Sequence, residues 1–152
     1  MNTEDLQTRK DDLRTRASLI RAVYLKKLTG SNVALADVCL FNDISFCVEA
    51  TSKGGRKSPT PEPKPKSEGG HFEPSFDSRT GRVMDTDAEY KVLSAIAETL
   101  DVSYDGEIGG NLYLYTELSP CQSCNGVIQQ FKEKFPNIKV HVFSDSPYLP
   151  EL

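Results

Sequence analysis

Two short stretches hold the residues whose types and spacing could do chemistry: Asp85-Thr86-Asp87-Ala88-Glu89 and Pro120-Cys121-Gln122-Ser123-Cys124. Two thiols three positions apart at a helix start can share one metal ion, and the helix N-terminus lowers their pKa values. The same spacing suits a redox dithiol or a plain structural pair. A thioredoxin-type dithiol, however, would follow an early strand, and this pair lies far down the chain. In the first stretch, Thr86-x-x-Glu89 reads as a capping box and Asp87 as an acid well placed on a helix dipole. Combined, the two stretches offer more. A Cys–Cys pair, a third ligand and a Glu left outside the coordination shell are the parts of a hydrolytic zinc site. That combination requires two helix N-termini to open at the same edge of one sheet.

The surrounding pattern supplies such elements. Leu6, Leu13, Ile20, Val23, Tyr24 and Leu28 recur at helical spacing up to Gly30, which predicts an N-terminal helix over residues 1–30. Residues 33–41 and 44–49 read as two strands of a hairpin turning at Asn42-Asp43, with Cys39 and Cys47 as buried structural thiols. Ala88, Val92, Leu93, Ile96, Ala97 and Leu100 form one apolar helical face, and Asn111–Tyr115 alternates as a strand. Pro120 opens a further helix with Val127, Ile128, Phe131 and Phe135 inward; Pro136 ends it, and residues 138–143 form a last strand. Helix, hairpin, helix, strand, helix, strand predicts an α/β fold with α-β-α layers, a mixed central sheet and flanking helices. One domain over residues 1–152 is expected.

Residues 51–70 break the pattern. They contain Pro, Gly, Ser and Lys but no aliphatic side chain, and their five basic and two acidic residues predict a flexible insertion. It is either a solvated linker or a cationic flap for phosphates. The whole chain balances Lys+Arg 18 against Asp+Glu 22, a net charge of −4, which excludes a uniformly basic nucleic-acid clamp. Twelve basic and nine acidic residues precede residue 71, and six and thirteen follow it, so nucleic acid would meet the front segment. No apolar run is long enough to span a membrane, and the charged start lacks the apolar core of a signal peptide. The cysteine spacing suits a reducing compartment.

Asp87-Ala-Glu89-Tyr-Lys91, followed by Tyr113-Leu-Tyr-Thr-Glu-Leu-Ser-Pro120-Cys121-Gln-Ser-Cys124, resembles the zinc-dependent cytidine deaminase-like superfamily. Its pattern is H/C-x-E on one helix and P-C-x-x-C on the next. The likeness is closest to deaminase domains of bacterial polymorphic toxins and covers about residues 33–143. One departure stands out: Asp87 occupies the place of the usual His or Cys. Carboxylates also ligate zinc, so Asp87 can fill it. His71, in His71-Phe72-Glu73, is the alternative ligand, although it precedes Pro74 in a loop.

The resemblance implies that Asp87, Cys121 and Cys124 hold Zn²⁺. Glu89 then moves the proton of the attacking water to the base and the departing amine. Phe72, Tyr113, Tyr115 and Lys91 are candidate substrate contacts, with core packing the commoner fate of such aromatics. The expected activity is conversion of cytosine to uracil in nucleic acid. Single-stranded DNA comes first because an unstacked base is easiest to capture, with RNA and double-stranded DNA open. The toxin-like motif, the basic insertion and the basic residues of the N-terminal helix favour a polymer. A toxin domain would act in the cytoplasm of the cell it enters, and its producer would need a cognate immunity protein. The alternatives are a free cytidine or nucleotide deaminase, a non-catalytic structural zinc module and a redox dithiol.

Overall fold

The computed structural model of the chain describes residues 3–25, 32–53, 57–60, 63, 66–72, 76–77, 82–83, 88–104, 106–118 and 125–146. Helix α1, Thr3–Ile20, runs into a π-helical turn, Arg21–Leu25. Strands β1 (Val33–Leu40) and β2 (Ser45–Thr51) follow as a hairpin. A 3-10 turn at Lys66–Glu68 and a short strand pair, β3 (Phe76–Asp77) with β4 (Arg82–Val83), precede helix α2 (Ala88–Ser103). Strand β5 (Gly110–Leu118), helix α3 (Asn125–Lys134) and strand β6 (Ile138–Ser146) complete the order.

The main sheet runs β2-β1-β5-β6, with β5 antiparallel to β1 and parallel to β6. Parallel pairing needs a crossover, and α3 supplies it. Alternation along the central strands divides the apolar residues between two layers. Ala34, Ala36, Val38, Leu40, Leu112 and Leu114 meet α2 and α3, where Leu93, Ile96 and Phe131 are fully buried, as is Phe135 just after α3. Val33, Leu35, Tyr113 and Tyr115 meet Leu13, Ala17 and Ile20 of α1 on the opposite face. Covering both faces explains why β1 reads as a nearly continuous apolar run rather than an alternating one. The α-β-α layering and mixed sheet expected from the sequence are those observed.

Several local expectations change. The π turn widens the helix by one residue per turn, so Leu25 points inward while Val23 is exposed. Residues 26–30, with Leu28 and Gly30, lie outside the described residues. At the hairpin, Asp43 takes φ 66° and Asn42 Oδ1 accepts from Ile44 N at 3.2 Å, which is why Asn and Asp occupy this turn. Cys39 is half-buried, and Cys47, expected in the core, is exposed because β2 is an edge strand.

The insertion is tied down where it is described. Thr51 N donates to Ser58 Oγ, Ser58 Oγ to Thr60 O, and Thr60 Oγ1 to Glu49 O. Hydroxyls capturing nearby backbone groups hold a segment that has no aliphatic side chain to bury. Its composition did not anticipate this anchoring.

Candidate active site

Helix α2 begins at Ala88, beside the ends of the two central strands, and its Glu89 is only 3% exposed. A buried carboxylate is costly without donors. Here they come from β5 and from the residue that leads into β1. Thr116 Oγ1, near the carboxyl end of β5, donates to Glu89 Oε1 at 2.7 Å. Asn32, just before β1, donates through Nδ2 to the same oxygen at 3.0 Å and to Thr116 Oγ1 at 2.6 Å. Asn32 is itself fixed, because its N–H donates to Ser52 Oγ at 2.8 Å and its carbonyl accepts from Ser52 N at 2.9 Å.

Glu89 therefore sits at the carboxyl end of β5, where α2 starts and where the chain leaves toward α3. Crevices at the carboxyl ends of strands are the usual ligand sites of open α/β sheets. The other expected zinc-site residues, Asp87, Cys121 and Cys124, lie outside the described residues, as does Thr86 of the capping box. Along the chain they flank this place: Asp87 immediately precedes α2, and Cys124 immediately precedes α3. By residue type, one carboxylate and two thiols are donors that zinc accepts. Among the described residues no group of three or more His, Cys, Asp or Glu is arranged to hold a metal ion.

His71 is elsewhere. Its Nε2 lies 2.7 Å from Glu98 Oε2 and its Nδ1 3.3 Å from Asp101 Oδ2. Glu98 follows Glu89 by nine residues on the same helix, about 13 Å along its axis. His71 also borders an open cleft of about 360 Å³ with Lys66, Gln130 and Lys134.

The four candidate substrate contacts are likewise engaged in the fold. Phe72 is buried against Phe131, and its carbonyl accepts from Tyr90 Oη. Tyr113 and Tyr115 share the α1 face, so the sheet lies between them and Glu89. Period-two alternation decides this, since Thr116 must point the other way. Tyr113 is stacked on His141 at 4.8 Å, beneath the guanidinium of Arg9 at 4.3 Å. Lys91 is fully buried and donates to the carbonyls of Thr51 at 2.7 Å and Lys53 at 2.5 Å.

The basic residues of α1 are largely engaged with acids. Arg16 grips Asp37 with two bonds of 2.9 Å and also reaches Asp12, while Arg9 approaches Asp37 at 3.3 Å. Burial alone would raise the Asp37 pKa, but the Arg16 bonds and charge, aided by Arg9, hold it below the usual carboxylate range. Although Cys47 is exposed as a residue, its sulfur lies under Arg16, and desolvation above all pushes the thiol up to about 12. It is therefore a neutral thiol at physiological pH. Arg21 clasps Glu117 through three close N–O contacts, fastening the π turn to β5.

Sequence reasoning missed Asn32 and Thr116. Thr116 lies inside the stretch that carries the resemblance but drew no role there, and Asn32 belongs to no motif and is 57 residues from Glu89 in the chain. The available signal was a polar Thr116 following the apolar residues Leu112 and Leu114 on the same face.

A family model of toxin deaminases, described as the BURPS668_1122 family of deaminases, matches residues 21–146. The match starts at the π turn and takes in the whole main sheet with α2 and α3. No curated protein gives a significant match.

Proposed function

The chain belongs to the toxin-deaminase family of deaminases, and from that premise we propose that it hydrolyses cytosine to uracil in single-stranded DNA at a zinc site. The observation that carries this reading is the buried carboxylate of Glu89, held by Thr116 and Asn32 where β5 runs toward Cys121 and Cys124. Asp87, Cys121 and Cys124 would hold the metal, whose contribution when bound is to make water a nucleophile near neutral pH. Glu89 accepts the proton of that water as its oxygen adds to C4 of the ring. The proton passes to N3, and a further transfer lets the C4–N bond break and ammonia leave. Water is consumed, and no oxidant or reductant takes part.

Single-stranded DNA is the first substrate because its bases need no unpairing before capture. The five basic residues of segment 51–70, whose first residues Thr51 and Ser52 are anchored to Ser58 and Asn32, would meet the phosphates. The pairing of Arg9, Arg14 and Arg16 with acids leaves α1 a smaller part in this than its composition suggested. As a toxin domain the chain would act in the cytoplasm of the cell that receives it, and its producer would hold a cognate immunity protein. No described helix is long and apolar enough to cross a membrane.

Wild type and Glu89→Gln should be assayed for zinc and for uracil formation on single-stranded DNA, double-stranded DNA, RNA and free cytidine. The expected result is about one zinc per chain in both, with uracil from single-stranded DNA by wild type alone. Turnover of free cytidine only would establish the nucleoside reading. Zinc without turnover on any of the four would favour a structural module, and absence of zinc would overturn the proposal.

A further inference from the structure

We propose that Asn32 and Thr116 are positioning residues that hold the Glu89 carboxylate in its working orientation. The inference rests on the reading of Glu89 as the proton carrier. Three bonds close a triangle: Asn32 Nδ2 to Glu89 Oε1, Thr116 Oγ1 to the same oxygen, and Asn32 Nδ2 to Thr116 Oγ1. A hydroxyl has one hydrogen to give. With the Asn32 amide donating to its lone pair, the Thr116 hydrogen is directed at Glu89.

Both donors are themselves immobilised. Thr116 pairs with Ala34 of β1 on one side and with Ser144 of β6 on the other. Asn32 exchanges two bonds with Ser52, one residue beyond the Val33–Thr51 pair that ends the β1–β2 ladder. The carboxylate, which hangs on three rotatable bonds from the first turn of α2, is thus fixed against β5 and the residue that leads into β1. Packing alone does not call for this arrangement, since Val in place of Thr116 would occupy the same volume. A proton carrier does call for it, because a displacement of about 1 Å at a reacting group can cost about 100-fold in rate.

The test uses the full chain and a single-stranded oligodeoxynucleotide carrying one cytosine. Thr116→Val deletes the hydroxyl and keeps the shape, whereas Thr116→Ser keeps the hydroxyl and deletes a methyl. Asn32→Asp puts a second carboxylate oxygen against Glu89. We expect kcat to fall about 10- to 100-fold in Thr116→Val and at least as far in Asn32→Asp, consistent with losing a donor to a charged group. KM should stay within about twofold, and zinc content should equal that of wild type. Thr116→Ser should recover most of kcat even though the lost methyl lowers its melting temperature. Rates that follow melting temperature, with Thr116→Ser no better than Thr116→Val, would reduce the triangle to a structural role and overturn the proposal. So would wild-type kcat in Thr116→Val and Asn32→Asp while Glu89→Gln is inactive, an outcome that leaves the deaminase reading standing. Full activity in Glu89→Gln would instead remove the reading itself, and this proposal with it.

Discussion

Replacing Lys91 by Met tests whether the side-chain amine buried in α2 serves the fold or the substrate. Lys91 is fully buried and donates to Thr51 O and Lys53 O, so it pins the end of β2 and the root of the insertion to α2. Methionine keeps the stem volume but donates nothing. The buried Thr51 carbonyl then loses its charged donor, at about 1–3 kcal/mol, whereas Lys53 is exposed and its carbonyl can recruit water at a smaller penalty. Relief from burying an ammonium offsets part of this. The net destabilisation is about 2 kcal/mol, which for a domain of this size lowers the melting temperature by about 4–8 °C. Thermal unfolding followed by circular dichroism measures the shift, and uracil formation in a single-stranded oligonucleotide below the transition measures function. The expected outcome is a lower melting temperature with KM within about twofold of wild type. An unchanged melting temperature together with a large rise in KM would refute the reasoning and make Lys91 a substrate contact.

Two further outcomes follow from the packing of the sheet. Asp37→Asn should cost about 1–2 kcal/mol at neutral pH, because Arg16 loses a charged acceptor but keeps Asp12 and some contact with water. The folded pKa of Asp37 is depressed, so its stabilisation is fully present above about pH 4 and drains away as pH falls through the folded value. The gap in melting temperature between wild type and Asp37→Asn should therefore narrow on going from pH 7 to pH 3; a gap that widens in acid contradicts this. Gly110→Ala would drive a Cβ into the Cys39 carbonyl oxygen and within 2.8 Å of Leu40 Cα, both backbone atoms of the neighbouring strand. Destabilisation at or above the upper end of the range of about 1–3 kcal/mol for overpacking is expected in denaturant melts, and a wild-type midpoint would contradict it.

Periodicity and punctuation made most of the fold legible. The apolar face of α2, the hairpin turning at Asn42-Asp43 and the order of helices and strands after residue 84 all follow from spacings of 3.6 and 2 and from where Pro and Gly stand. Glu89 was marked by its place in a short motif at a helix start. Other outcomes depended on long-range geometry. Which face of β5 meets α2 depends on the sheet being covered on both sides, and that sent Tyr113 and Tyr115 to α1 and Thr116 to Glu89. The exposure of Cys47 depends on β2 lying at the edge, an order that local pattern does not encode. A one-residue widening of the helix moved Val23 outward and Leu25 inward, beyond what a 3.6-residue period can anticipate. The partners of Glu89 come from positions 27 and 57 residues away in sequence. A single chain read in order carries the types of Asn32 and Thr116 but not their convergence on one carboxylate oxygen, because that meeting exists only once β1 and β5 pair and α2 docks across them.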